Sequence, residues 1–491
     1  MKIGIDFGTS FSLPAGVING SADTLLPNGE YGIPSVFYYD SEVGIQIGKD
    51  AEYNAEFYPM NVRRDIKMDI RAHEDSFTAD GRTFSKKEII GHIFREITRV
   101  AQEQSERREL SSQSIDGAVI SVPAAFDLRE LSMIREAAQR PECAGGAGLN
   151  VLGFIREPVA AAIAYFNAPG ASDKKTILVY DLGGGTCDVA IVRADREAEA
   201  WYRVLDSKME RIGGRNWDGV LAEVIRRKLN EKIGRDGCDA DTENRIRRQA
   251  VEVKHILTTR PSARATVSIA GKTYSCVITA EEFEEATAEL LQNTMTIVKE
   301  LIRKCNAQID YIVCVGGSSN MPQIRKSFEQ QYPEIPVKVF QPEKAIAFGA
   351  AIYAEQLENK RFLRDICKYS YGARYVEDYR RYHDPDRLRI WNIVYKDGEL
   401  PAKGTSTSTR LRNGDHDTYI AIYESECTDE VYLPEQGTYI GDITITGIKG
   451  GKEGDETVLT MQIDQSGLMV LEAVDRRTGK SARAQIQLKD F

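Results

Sequence analysis

Leu178-Val179-Tyr180-Asp181-Leu182-Gly183-Gly184-Gly185-Thr186-Cys187-Asp188-Val189 reads as an apolar strand, a glycine turn and a second strand. An aspartate closes the first strand, three glycines follow, and a hydroxyl residue precedes a second aspartate. Glycines let a backbone approach phosphate oxygens closely and point N–H groups at them, which makes an anion nest. Near the start of the chain, Ile5-Asp6-Phe7-Gly8-Thr9-Ser10-Phe11 repeats the plan of strand, aspartate, glycine and hydroxyl. Two copies this far apart are a weak internal repeat, as a duplicated fold requires.

Asp6 and Asp181 would repel a phosphate on their own, so their presence points to Mg²⁺ between them and a nucleotide. Mg²⁺ keeps several waters and is commonly held through one or two carboxylates. Thr9, Ser10 and Thr186 supply hydroxyl donors, and Asp188 is placed to orient a water or to join the metal shell. Taken singly, each glycine cluster also fits a tight hairpin turn; together the two favour phosphate. Neither is a P-loop, because G-x-x-x-x-G-K-[ST] is absent from both.

Two further segments fit the same cleft. Val313-Cys314-Val315-Gly316-Gly317-Ser318-Ser319-Asn320-Met321-Pro322 reads as strand, glycine turn and a helix with Pro322 in its first turn. Such a turn lets a base or ribose lie against backbone, although strand–Gly-Gly–helix turns are common. Ile155-Arg156-Glu157-Pro158 places a carboxylate at a proline-initiated helix start, where simple N-terminal capping is the plainer reading.

Around these motifs, short apolar runs alternate with helical patterns up to about residue 360. Ile89, Ile90, Ile93, Phe94, Ile97 and Val100 repeat at helical spacing, and a second long helical stretch spans Glu282–Cys305. Gly117–Val122, Thr176–Tyr180 and Tyr311–Val315 read as buried strands, which makes the region α/β. Beyond about residue 390 the pattern is nearly all β: Tyr419–Tyr423, Ile443–Thr446 and Leu468–Leu471 are separated by turns such as Asp464–Gly467 and Arg477–Lys480. Short strands at that spacing predict a β-sandwich. Residues 360–390, charged and rich in Tyr and Arg, combine a linker, a first strand and an irregular loop.

The 491 residues call for at least two domains, and 42% hydrophobic with 28% charged residues suits well-cored globular ones. A net charge of −10 argues against a broad nucleic-acid surface. There is no apolar run of about 18 residues, so no membrane helix is expected. Met1-Lys2 leads straight into a strand, which argues against a signal peptide and for a cytoplasmic protein. The eight cysteines, at 143, 187, 238, 276, 305, 314, 367 and 427, include no C-x-x-C pair and read as reduced core thiols. The five histidines are dispersed, so no transition-metal site is expected.

Together these residues resemble the seventy-kilodalton heat-shock (DnaK-type) chaperone family of the actin and sugar-kinase superfamily. The N-terminal match covers about residues 2–358. It runs through I-D-F-G-T-S, Ala118–Ala124, Arg156–Tyr165, D-L-G-G-G-T-C-D, Ile212–Asp218, the V-G-G-S segment and Gln341–Ala351. A looser match continues through Leu400–Lys403, Ile422–Glu426, Gly441–Ile448, Ile463–Leu468 and Ala473–Lys480. The resemblance implies a duplicated, actin-like (ribonuclease H-like) ATPase domain of two lobes over 1–359. A linker over 360–372 and a peptide-binding β-sandwich over 373–491 follow. The family's helical lid would begin about where Phe491 stands, so a lidless member is expected.

The resemblance also implies roles. Lys67 matches the lysine that contacts the γ-phosphate and attacking water; from its local sequence alone it reads as an ordinary exposed lysine. Asp6 and Asp181 match the aspartates that hold Mg²⁺ through water. Gly8, Thr9, Ser10, Phe11, Gly183, Gly184, Gly185 and Thr186 match the phosphate loops. Glu157 and Asp188 match acidic residues that organise metal and water, so Lys67, Glu157, Asp181, Thr186 and Asp188 form the expected catalytic set for slow hydrolysis of ATP to ADP. Gly213, Gly214, Lys254, His255, Thr258, Gly316, Gly317, Ser318, Asn320 and Glu343 complete the expected nucleotide shell.

Departures from the pattern matter as well. His255 and Asn320 stand where the family brackets adenine, Asn320 replacing a common arginine, which reduces stacking. The usual leucine-rich linker reads Asp365-Ile366-Cys367-Lys368-Tyr369-Ser370, and Gly153 replaces an arginine that helps dock a J-domain co-chaperone. Both weaken the expectation of J-domain stimulation. The first strands of the sandwich carry Arg380, Arg381, Asp384, Asp386, Arg387 and Arg389, favouring a charged surface loop.

The leading expectation is an atypical chaperone ATPase whose nucleotide state alters affinity for an unfolded or extended peptide. A nucleotide-regulated scaffold for one dedicated protein partner is the second, and a small-molecule kinase of the same superfold the last.

Overall fold

The computed structural model describes the chain apart from residues 56, 71–75, 111–113, 125, 127, 141–147, 172–173, 234–239, 270–271, 360, 368, 378–384, 397, 464–467 and 488–491. It forms two compact units. The first comprises Met1–Ala124, Ile134–Arg196 and Asp206–Glu358; the second comprises Ala125–Met133, Glu197–Leu205 and Asn359–Phe491.

The first unit is built on one plan used twice. Strand Lys2–Phe7 forms an antiparallel hairpin with Phe11–Ile18 and pairs in parallel with Gly117–Val122, which pairs in parallel with Val151–Arg156. Strand Lys174–Leu182 likewise forms a hairpin with Cys187–Asp195 and pairs in parallel with Tyr311–Val315, followed by Val337–Val339. In both copies the apolar strands are almost wholly buried, as parallel strands covered on two faces must be. The repeat seen in the two aspartate–glycine motifs is therefore a repeat of topology. This is the actin-like, ribonuclease H-like architecture.

Small residues bring the covering helices close. Helix Glu157–Phe166 and helix Ala345–Glu355 cross at Gly349, where an added Cβ would stand 1.7 Å from the Ala160 carbonyl oxygen. Gly4 lets the same helix rest on strand Lys2–Phe7, since a Cβ there would meet Ala351 N at 2.1 Å. A side chain at Gly349 would push the two helices apart, and one at Gly4 would lift the helix off the strand.

Local signals set the helix ends. The predicted amphipathic helix spans Lys86–Arg107, and the Ser85 side chain caps it by accepting from Glu88 N–H. The stretch Glu282–Cys305 is two helices, Ala280–Ala286 and Ala288–Cys305. Thr279 and Glu282 form a capping box that starts the first, and Thr287 ends it. The second ends at Asn306 in the left-handed conformation (φ 47°).

In the second unit, residues 431–432, 388–394, 370–376, 418–425 and 438–445 form one antiparallel sheet, in that order. Residues 402–409, 456–463, 468–475 and 481–487 form another. Period-2 alternation turns Leu459, Met461, Ile463, Met469 and Leu471 inward against Tyr371, Ile420, Ile422 and Ile443, closing a sandwich core. Within the stretch expected as a linker, Leu363–Ile366 is a strand: Leu363 and Arg364 pair in parallel with Tyr202 and Arg203. Asp365 and Ile366 pair with Leu400 and Glu399. Of the charged loop, Arg380, Arg381 and Asp384 lie outside the described residues, as do Lys368 and the turn Asp464–Gly467. Arg387 and Arg389 both pair with Glu377.

The six described cysteines are free thiols; Cys143 and Cys238 lie outside the described residues. Among the described residues, no helix is long and apolar enough to cross a membrane.

Candidate functional site

The register of the hairpins puts the acidic residues together. Asp181, next to last in its strand, lies directly opposite Asp188 on the neighbouring strand and beside Val315 on the other. Asp6 occupies the equivalent place in the first copy, and its Oδ1 accepts from Ser121 Oγ at 3.0 Å. Asp188 Oδ1 accepts from the backbone N–H of Ala124 at 2.8 Å. Glu157, first residue of its helix, accepts from Lys67 Nζ. Both members of that ion pair are buried, Lys67 at 4% and Glu157 at 5% exposure, so Lys67 is not the ordinary surface lysine its local sequence suggests.

Five charges in one water-poor enclosure perturb one another strongly. Burial, reinforced by Glu157 and opposed by Lys67 and Ser121, pushes the Asp6 carboxyl up to about 7. Burial and Glu157 push Asp188 to about 7 against hydrogen bonds from Ala124 and Thr186. Burial and the surrounding carboxylates raise Asp181 well above the ordinary range. For Lys67, burial disfavours the ammonium, but Glu157, Asp6 and Asp188 outweigh it and hold its pKa above the usual lysine value. An excess of buried carboxylate over cation is a costly arrangement unless a further positive charge enters.

The oxygens available fit a divalent cation. Asp181 Oδ1 and Asp188 Oδ2 are buried and have no hydrogen-bond partner among the described residues. Carboxylate oxygens of this hardness suit Mg²⁺.

Above the carboxylates, the two loops form a cradle. Gly8 allows the first loop to fold tightly, since a Cβ there would lie 2.0 Å from the Phe11 carbonyl oxygen. Ser35 holds this loop from beneath, its hydroxyl donating to Gly8 O and its N–H to Ser10 O, both at 2.9 Å. Thr9 is buried, Ser10 is exposed, and Phe11 projects with 53% of its surface exposed. In the second loop Gly183 N–H donates to Thr186 O at 3.0 Å. A Cβ on Gly184 would lie 2.8 Å from Ser10 Oγ, so the two loops face each other at close range.

A third layer locks onto the second loop. Gly214 and Arg215 N–H groups donate to the Gly183 and Gly184 carbonyls at 2.9 Å, and Ser318 Oγ donates to Gly183 O at 3.0 Å. Gly213 packs so closely that a Cβ would meet Gly185 N at 2.5 Å. Lys254 is buried, donates to Gly214 O at 3.2 Å and pairs with Asp218 at 2.7 Å. Gly316, with φ 79°, turns the third strand away under Asp181; Gly317 has open space where a Cβ would be.

The residues expected around the base are arranged more loosely. Much of the His255 and Glu343 surface is exposed, yet partial desolvation of the imidazole, with Lys254 nearby, lowers the His255 pKa against the pull of Asp218 and Glu343. Asn320 Nδ2 folds back onto Gly317 O at 3.2 Å, and the Thr258 hydroxyl onto Lys254 O at 3.1 Å.

Residue-level reading missed Ser121, Ser35 and Ala124, which hold the aspartates and the first loop. It also gave no role to Arg215, which pairs with Asp65 just before Lys67. A lone serine inside the apolar strand Gly117–Val122 is the signal that would have found Ser121.

Comparison with known proteins agrees with this geometry. The family profile described as Hsp70 protein matches residues 2–490. The chain is 28% identical over 520 residues to the chaperone protein HscA of Cronobacter sakazakii, covering 99% of this chain and 78% of the relative. It is 27% identical over 518 residues to chaperone protein HscA of Escherichia coli, with the same coverage. With the duplicated fold, the facing glycine loops and a profile match over nearly its whole length, the chain belongs to the Hsp70 family of chaperones.

Proposed function

We propose that this protein binds ATP with Mg²⁺ and hydrolyses it slowly, coupling nucleotide state to peptide or protein binding by its C-terminal β-sandwich. The observation that carries the reading is the buried Lys67–Glu157 pair, set among Asp6, Asp181 and Asp188 beneath two glycine loops. A buried lysine and three buried carboxylates, with the half-buried Asp6 beside them, are worth keeping only where a highly charged ligand and its cation complete the balance.

In this reading the backbone N–H groups of Gly8–Ser10 and Gly184–Thr186 bind the phosphates. Mg²⁺, held through water by Asp6 and Asp181, supplies charge neutralisation at the phosphates. Lys67 presents its ammonium to the γ-phosphate and the attacking water, while Glu157 fixes that ammonium in place. Asp188, anchored by Ala124, and the Thr186 hydroxyl orient the water for in-line attack. Little covalent chemistry is required of the protein, because positioning and electrostatics carry phosphoryl transfer.

Domain limits of 1–359, 360–372 and 373–491 and a cytoplasmic location belong to the same proposal. Calorimetry with Mg–ATP, alongside phosphate release, tests the nucleotide half; absence of binding overturns it. The coupling half is tested by the dissociation rate of an unfolded client. Equal rates with ATP, ADP and no nucleotide would sink it.

A second reading, a nucleotide-regulated scaffold for one dedicated partner, draws on the sandwich surface. Trp391, Tyr395, Tyr419 and Tyr439 are all exposed there. Tyrosine and tryptophan are the residues that dominate specific protein interfaces. A pull-down returning one stoichiometric partner, with no binding to peptide arrays, would favour this reading over general client binding.

A further inference from the structure

Arg156 ends the strand Val151–Arg156, and the next residue, Glu157, opens the helix that carries the Lys67 partner. An arginine at such a junction would ordinarily reach solvent, because its long stem allows it. Here the side chain is buried, with 6% exposure. Its Nη1 donates to the Ser207 hydroxyl at 2.9 Å within the interior. Burial pulls its pKa down to about 10, and the nearby carboxylates of Asp206 and Asp188 oppose that pull, so the guanidinium stays charged at neutral pH.

The groups around it are themselves fixed. Asp206 Oδ1 accepts from Ser207 N–H at 2.8 Å, and its Oδ2 pairs with Lys304 Nζ at 2.9 Å. Asp188 Oδ1 is held by Ala124 N–H. Arg156 is thus tied to the Asp206–Ser207 segment through the Ser207 hydroxyl, and it is joined to Glu157 by a single peptide bond. A guanidinium is planar and presents donors in a fixed fork, which makes it a better spacer between such groups than a flexible ammonium.

We propose that Arg156 is a positioning residue for hydrolysis: buried and pinned at Ser207, it fixes the strand-to-helix turn that presents Glu157 to Lys67. This rests on the ATPase reading above and deepens it. Arg156 touches no phosphate in this role; it acts through Glu157 and Asp188. Positioning errors of about 1 Å are enough to cost on the order of 100-fold in rate without abolishing binding.

The test compares wild type with Arg156→Gln, Arg156→Lys and Ser207→Ala by thermal melting, Mg–ATP calorimetry and single-turnover phosphate release per folded molecule. Arg156→Gln is expected to slow the single-turnover step by about tenfold or more, with the Kd for Mg–ATP changed by less than about threefold. Ser207→Ala should slow it by a smaller factor, and Arg156→Lys should recover part of the loss through its charge. A purely structural arginine would lower the melting temperature and leave the rate per folded molecule alone. That result, or a rate loss matched by equal loss of binding, overturns the proposal. If Arg156→Gln does not fold, Ser207→Ala and Arg156→Lys decide by the same criteria. Wild-type protein that binds Mg–ATP without hydrolysing it, or does not bind it, defeats the ATPase reading and this role with it; active wild type with unaffected variants defeats the role alone.

Discussion

Lys67 and Glu157, 90 residues apart in sequence, form an ion pair that is almost fully withdrawn from water. Removing one member of such a pair leaves an uncompensated buried charge, which costs about 3–5 kcal/mol of stability. Removing both with apolar residues of similar size is much cheaper. Lys67→Met should therefore destabilise the fold, and Lys67→Met with Glu157→Leu should recover most of that loss. Phosphate release should stay down by at least about 100-fold in both, because the recovered stability restores no group at the γ-phosphate. Denaturant melts and single-turnover assays on the two variants check this. A double variant with wild-type hydrolysis would remove the pair from the mechanism.

Thr186 separates binding from chemistry in a different way. Its backbone carbonyl accepts from Gly183 and shapes the second loop, while its hydroxyl acts to lower the Asp188 pKa. Thr186→Ala keeps the first contact and deletes the second. Calorimetry should find Mg–ATP binding close to wild type, and phosphate release should be markedly slower, by about tenfold or more. Loss of binding in this variant would show that the hydroxyl grips the ligand and does not act on the water.

How far the sequence reveals this site depends on what each residue needs from its surroundings. The place of the glycine loops was legible because backbone geometry selects glycine locally, and that of Asp6 and Asp181 because each stands near the end of an apolar strand before its loop. Lys67 was legible only through family resemblance. Nothing in Arg64-Asp65-Ile66-Lys67 signals burial, which comes from a glutamate far along the chain. Nothing in Ile155-Arg156-Glu157-Pro158 marks Arg156 as buried, since its partner Ser207 lies on a remote strand. The same limit applies to Leu363–Ile366, which becomes a strand only because Tyr202, Arg203, Glu399 and Leu400 offer it a ladder. The start of the helix Ala280–Ala286 was readable in principle, because Thr279 and Glu282 spell a capping box.

The glycines make a sharper prediction than their number suggests. Gly213→Ala places a Cβ 2.5 Å from Gly185 N and 2.6 Å from Gly184 C, and backbone cannot yield as a flexible side chain would. The second loop must move, so Mg–ATP affinity should fall by about tenfold or more while circular dichroism stays native. Gly317→Ala meets nothing within 4 Å and should bind as wild type does. Equal affinity in the two variants would mean that the second loop is not the phosphate cradle.

Proton and cation compete for the same enclosure, and the sign of that competition is fixed by the direction of the shifts. Asp6 and Asp188 are raised from 3.8 to about 7, so without a cation the folded protein holds protons that the unfolded chain releases. Stability from these groups is complete below the unfolded value, is lost progressively as pH rises, and is gone once pH passes about 7. In EDTA the melting temperature should therefore fall between pH 5 and pH 8, and Asp188→Asn should flatten that fall because an amide has no proton to lose. Mg²⁺ binds the deprotonated form, so its stabilising effect should be larger at pH 8 than at pH 5. Differential scanning calorimetry in EDTA and in Mg²⁺ at the two pH values measures both slopes. A melting temperature in EDTA that rises with pH in wild type, and equally in Asp188→Asn, would mean that these carboxylates are already ionised in the folded protein and that no cation is needed to hold them together.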